Sequence, residues 1–228
     1  RRERLTGGVG LSMYYIFGDL HGMFSKLEAL YGQLRETIRG DDTLLFLGDY
    51  IDRGGQSYQT VEFLTGLSRL HRTVFLKGNH ESMLLDYLSG GDGGLYFRNG
   101  GERTIESYRR SLGSFSLPSS HMDFFRSLLM YHETDNFIAV HAGIDPKITT
   151  MDLQSEENML WIREEFFLAD KRWPKTIIFG HTPAVHFTGV MSRPWFDERR
   201  NIIGLDTGAV YGGRLTCMRW PDRAIFQS

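Results

Sequence analysis

Through the first half of the chain, short apolar runs ending in glycine alternate with longer stretches whose apolar residues recur at helical spacing, the pattern of successive β-α-β units. Strands are predicted over 13–17, 43–47 and 73–76, and helices over 24–38, 58–70 and 81–88, the first helix carrying its stripe at Leu27, Leu30, Tyr31 and Leu34. From 90 to 120 glycine, serine and charged residues dominate, which predicts an irregular cap with one helical stretch near 103–111. Beyond Tyr131 the pattern is mostly that of strands, expected at 131–133, 137–140, 176–179, 202–205, 215–219 and 224–226, with a helix over 156–168 between them. The fold class is therefore α/β. Residues 1–12 begin with basic residues but lack the apolar stretch that export needs, so they are expected to be a disordered extension ahead of a single domain spanning 13–228.

The first three strands each run into a glycine-bounded motif: Gly18-Asp-Leu-His-Gly22, Gly48-Asp-Tyr-Ile-Asp-Arg-Gly54 and Gly78-Asn-His-Glu81. Two more, His141-Ala-Gly143 and Gly180-His-Thr182, close later strands. Asp19, Asp49 and Asn79 thus fall just past strand C-terminal ends, where open α/β sheets present their ligands. They recur at intervals of 30 residues, a length that suits a strand, a crossover helix and two loops.

The donors in these motifs are only oxygen and imidazole. Such a set suits two divalent cations, with manganese the first expectation and iron or zinc also compatible. Asp19 and His21, two apart in a strand-like backbone, would point the same way and bind one cation together. Asp49 is the natural shared carboxylate, and Asn79, His141 and His181 supply further donors. Asp52 is better placed to orient a histidine than to bind metal, Arg53 offers a two-pronged guanidinium to phosphate oxygens, and His80 is placed as a proton donor. Each motif alone has a plainer reading as turn residues, a solvated ion pair or a hydrogen-bonded strand-end histidine. All five together point to metal-assisted phosphoester hydrolysis. His71, His121, His132 and His186 lack such settings and read as surface or core residues.

With 41% hydrophobic residues, 24% charged residues and a net charge of -2, the composition is that of an ordinary globular protein with no general pull toward nucleic acid or anionic lipid. The single cysteine, Cys217, cannot form an internal disulfide, so a reducing compartment, the cytoplasm, is expected. No apolar run approaches the roughly 18 residues of a membrane span. Neither a nucleic-acid nor a membrane partner is expected, and the sequence carries no mark of an oligomeric state.

The ordered motifs resemble the phosphoprotein phosphatase branch of the metallophosphoesterases over residues 14–219, especially its small bacterial and phage members. The resemblance implies a four-layer α/β/β/α sandwich of mixed central sheets flanked by helices. It implies that Asp19 and His21 bind one metal, that Asp49 bridges, and that Asn79, His141 and His181 bind the second. His80 would be the general acid, paired with Asp52, and the nucleophile a hydroxide held between the cations. Arg53 and Arg163 would hold the phosphate, the latter because Met159-Leu-Trp-Ile-Arg163 is similar to the bacterial pattern, with Tyr211 at the border of the site. The activity so implied is a protein serine/threonine phosphatase, with phosphotyrosine as a further substrate and a phosphoprotein or phosphopeptide as partner. The alternative is a symmetrical dinucleoside tetraphosphatase. Asp52, Glu81 and Thr182 favour the first, because the nucleotide-cleaving group tends to carry alanine, aspartate and tryptophan there. A binding module with a vestigial site would need a missing ligand, and none is missing.

Overall fold

In the computed structural model, which describes residues 12–228, the strands form two five-stranded sheets with helices on their outer faces. The chain runs β1 (Tyr14–Phe17), α1 (Phe24–Leu34), β2 (Thr43–Phe46), α2 (Ser57–Leu67), β3 (Arg72–Phe75) and α3 (Asn79–Leu88). The cap follows as α4 (Gly94–Arg98), α5 (Gly101–Leu112) and α6 (Ser119–Arg126). The second half comprises β4 (Tyr131–Glu133), β5 (Phe137–Val140), α7 (Glu156–Trp161), α8 (Glu164–Phe167), β6 (Thr176–Phe179), α9 (Val185–Thr188), β7 (Trp195–Asp197), β8 (Ile202–Gly204), β9 (Thr216–Trp220) and β10 (Ala224–Gln227). One sheet has the order β10-β9-β1-β2-β3, the other β4-β5-β6-β8-β7. Within them β1, β2 and β3 are mutually parallel, as are β5, β6 and β8, while β9 and β10 add antiparallel pairs at one side of the first sheet and β4 and β7 pair antiparallel at the two edges of the second.

The period-2 geometry of strands sorts their side chains into layers. On β1 and β2, Tyr15, Phe17, Leu44 and Phe46 pack in one cluster with Leu27, Leu30 and Leu64 of α1 and α2. Ile16 and Leu45, one residue out of phase, pack instead with Ala139, Ile178 and Ile203 of the second sheet. That sheet sends Ile138, Val140, Ile177 and Phe179 the other way, with Met159 and Phe166 of α7 and α8. Every central strand is thus buried on both faces, which is why these strands read as continuous apolar runs.

The expected helix over 156–168 breaks into two at Arg163, whose backbone leaves the helical region at φ -132°, ψ -103°. The expected irregular cap is largely helical. Its main helix, α5, falls on the helical stretch expected near 103–111 and buries Thr104, Ser107 and Tyr108 as well as Ile105; α4 and α6 are the helices that the glycine- and serine-rich pattern did not announce. The extension expected over 1–12 lies outside the described residues, save for Ser12. No helix among the described residues is long and apolar enough to cross a membrane.

Candidate active site

The loops after β1, β2 and β3 converge with those after β5 and β6, and their backbones are tied together. The amides of Leu20 and His21 donate to the carbonyl of Asp49 at 3.1 and 2.7 Å, and that of Gly22 to Tyr50 at 2.8 Å. His21, Asp49, Asp52, Arg53 and His181 all sit at positive φ, between 43° and 69°. Such backbone costs about 1–3 kcal/mol per non-glycine residue and persists only where the surroundings over-determine it, a mark of functional sites. Two glycines make room for carboxylates: a Cβ at Gly78 would collide with Oδ1 of Asp49, and one at Gly180 with Oδ1 of Asp19.

Donor atoms cluster in two groups that share Asp49. His21, Asp49 and His80 bring one atom each within 4.8 Å of one another, and so do Asp49, His141 and His181. Nδ1 of His141 donates to the Leu47 carbonyl at 2.9 Å, so its Nε2 faces Oδ1 of Asn79 at 3.0 Å and Oδ1 of Asp49 at 3.5 Å with a bare lone pair. Nδ1 of His181 also lies 3.0 Å from that Asn79 oxygen. His21 is held likewise, its Nδ1 on the Ile51 carbonyl at 3.0 Å and its Nε2 accepting from Arg53 at 2.7 Å. Lone pairs brought this close repel unless a cation lies among them, so these residues fit divalent metals, and Asp49 could serve two at once. Burial drives the His21 pKa down to about 3 and also lowers those of His141 and His181, which keeps the imidazoles in the neutral, ligating form. Burial raises the Asp49 pKa, but attraction to His141, His80, His21 and His181 where these carry protons outweighs it and holds the carboxyl below its usual range. Burial, with Asp206 and Asp49 nearby, pushes Asp19 up.

Asp19 stands outside both clusters, with Oδ2 accepting from the His181 amide at 2.9 Å, leaving its buried, unpartnered Oδ1 as a further donor to a cation.

His80 is fully buried, its Nδ1 2.7 Å from Oδ2 of Asp52 and its Nε2 without a partner. The Thr104 hydroxyl donates to Oδ1 of Asp52 at 2.6 Å and accepts from the Asp52 amide at 2.9 Å. Burial raises the pKa of Asp52, and the bonds to His80 and Thr104 draw it back.

Beside these donors opens a cavity of about 390 Å³. Arg53, Arg163 and Tyr211 all line it, with Trp161, Met191 and His186. Arg163 donates to the Thr182 hydroxyl at 2.9 Å, and the Arg53 guanidinium lies 5.7 Å from the Tyr211 ring centroid. The break at Arg163 sets its side chain and that of Trp161 on the cavity wall. His186, read from sequence as having no site role, lies on that wall because α9 follows the Gly180-His-Thr182 loop directly.

Glu81 is the residue whose part the sequence concealed. Fully buried, it accepts from the amides of Asp49 at 2.9 Å, Gly78 at 3.0 Å and Tyr50 at 2.8 Å, joining the second and third motifs. The one available signal was its position three residues into a helix, where a glutamate can turn back on the first-turn amides. Glu81→Ala leaves these amides without acceptors, each costing about 1–3 kcal/mol if it stays buried. The expected result is a fall in the urea midpoint together with weaker metal retention; an unchanged midpoint would remove Glu81 from this role.

The family model for calcineurin-like phosphoesterases matches residues 14–208. The asymmetrical bis(5'-nucleosyl)-tetraphosphatase PrpE of Geobacillus sp. (strain WCH70) is 30% identical over 240 residues, covering 91% of this chain and 90% of that protein. The symmetrical bis(5'-nucleosyl)-tetraphosphatase of Haemophilus ducreyi is 25% identical over 276 residues, covering 93% and 97%. A crystal structure described as a candidate diadenosine tetraphosphatase superposes with a TM-score of 0.72 at 24% identity over 96% of this chain and 94% of that one, a likeness of fold.

These relatives overturn the phosphoprotein or phosphopeptide partner: their names specify small nucleotide substrates. The geometry explains the error. Asp52 is spent on His80 and Thr104, Glu81 on three backbone amides, and Thr182 on Arg163. All three are buried, at most 4% exposed, and their bonds are internal, so they do not discriminate between leaving groups.

Proposed function

This chain belongs to the calcineurin-like phosphoesterases, and we propose that within the family it hydrolyses the polyphosphate chain of a dinucleoside tetraphosphate. The observation that carries the reading is the near full-length similarity to bis(5'-nucleosyl)-tetraphosphatases of both kinds. The cavity supports it, since Trp161, Met191 and Tyr211 offer aromatic and thioether surface to a nucleoside, and Arg53 and Arg163 offer guanidinium groups to phosphate oxygens.

We assign metal binding to Asp19, His21, Asp49, Asn79, His141 and His181. Divalent cations bound there would acidify a water and neutralise charge on the attacked phosphate. The protein's own groups do the rest. Asp52 holds Nδ1 of His80 and fixes the ring, so that Nε2 can pass a proton to the departing oxygen. Thr104 keeps that carboxylate in place. Arg53 and Arg163 bind the non-bridging oxygens, and the cavity walls position the nucleoside.

With manganese supplied, diadenosine tetraphosphate is expected to be consumed, and chromatography of the products identifies the bond cut. ADP alone marks cleavage at the centre, whereas ATP with AMP marks cleavage to one side. An enzyme that turns over p-nitrophenyl phosphate but leaves diadenosine tetraphosphate intact would refute the proposal.

A further inference from the structure

Two grooves lead away from the cavity, and their charges are opposed. On the Arg163 side the walls carry Asp145, Glu157, Glu164 and Glu165 against Lys147 and Arg163. On the Arg53 side Arg98 and Arg103 join Arg53, with Glu102 the one carboxylate among the described lining residues. This basic groove shares Arg53, Asn99 and Tyr211 with the cavity, so the two are contiguous. It also contains Phe97, which packs edge-on against Tyr87 at 5.1 Å yet stays 39% exposed.

The groove belongs to the cap, and the cap is fastened to the second motif. The Arg53 amide donates to the Gly100 carbonyl at 3.2 Å, and Thr104 reaches Asp52. Arg98 and Arg103 stand on either side of this attachment, so their backbones are fixed relative to Arg53. Arg103 pairs with Glu106 at 3.1 Å, both about half exposed, and an exposed pair of that kind holds a guanidinium only weakly.

The cavity's 390 Å³ stands near the lower end of the roughly 300–1,000 Å³ of small-molecule sites, room for one nucleotide rather than two. Resting on the reading above, we infer that the basic groove takes the second nucleotide of the substrate: Arg98 and Arg103 bind the distal phosphates and Phe97 offers its face to the distal base. A chain of about four negative charges is drawn toward this groove and away from the carboxylates opposite. Tyr211, lining both spaces, divides the two halves.

The test is the ratio of kcat/KM for diadenosine tetraphosphate to that for p-nitrophenyl phosphate, which is too short to reach the groove. The pair Arg98→Ala and Arg103→Ala is expected to lower this ratio about tenfold at low salt, and the deficit to shrink as salt screens the phosphates. Glu164→Gln with Glu165→Gln, across the cavity, does not lower the ratio. A ratio unchanged in the arginine pair, or lowered only in the glutamate pair, overturns the inference. Should alanine upset α4 or α5, as a thermal melt would show, Arg98→Gln with Arg103→Gln takes its place. If the wild-type protein does not cut diadenosine tetraphosphate, the functional reading fails by itself. The groove is then tested by competition: inhibition of p-nitrophenyl phosphate hydrolysis by diadenosine tetraphosphate should weaken in the arginine variant, and equal inhibition overturns it.

Discussion

Asp49→Asn is expected to yield a folded protein that has lost most of its bound metal and at least about 100-fold in turnover, since even changes to groups behind metal ligands cost about 10–100-fold. The fold should survive. Asp49 sits at φ 53°, a left-handed conformation that asparagine tolerates, and an amide oxygen can still accept from the His80 amide, now 3.2 Å from Oδ1. What disappears is the charge shared by both donor clusters, whose oxygens lie 3.4 Å from Nε2 of His21 and 3.5 Å from Nε2 of His141. Metal stoichiometry by plasma emission, with kcat on p-nitrophenyl phosphate, checks it. Wild-type values for both would remove Asp49 from the centre of the site.

His80→Asn separates proton transfer from metal binding. Metal content should stay near that of the wild type, while turnover falls according to how much the leaving group needs a proton. On phenyl phosphate the loss should approach the roughly 10²- to 10⁴-fold typical of general acid catalysis. It should be much smaller on p-nitrophenyl phosphate and on diadenosine tetraphosphate, whose leaving groups are more stable anions. The contrast follows from the arrangement of His80, with Nδ1 on Asp52 and Nε2 unpartnered. Equal losses on all three substrates would assign His80 a structural part instead.

Much of this site was legible in the chain because its parts are local. A parallel strand buried on both faces must be a short apolar run, and its loop must turn tightly enough to need glycine, so Asp19, Asp49 and Asn79 announced themselves at strand ends. The donor types set the metal chemistry, and their order set the family. Glu81 and Thr104 were not legible as supports, since nothing local tells a glutamate in a helix's first turn that its acceptors will serve amides of another loop, 31 and 32 residues away.

The leaving-group preference lay furthest beyond reach. Asp52, Glu81 and Thr182 look like specificity residues in sequence, and folding turns all three inward. The residues that do face the cavity are drawn from separate segments, Arg53 after β2, Trp161 at the end of α7, Met191 after α9 and Tyr211 before β9, and no single motif unites them. The sequence by itself determined the strands, the oxygen and imidazole donors at their ends and the class of reaction, because each depends on residues a few positions apart. Only the tertiary structure decided which acceptors meet without a proton between them and what shape of molecule the site admits, because a cavity is a relation among side chains that the chain holds far apart and the sheets bring together.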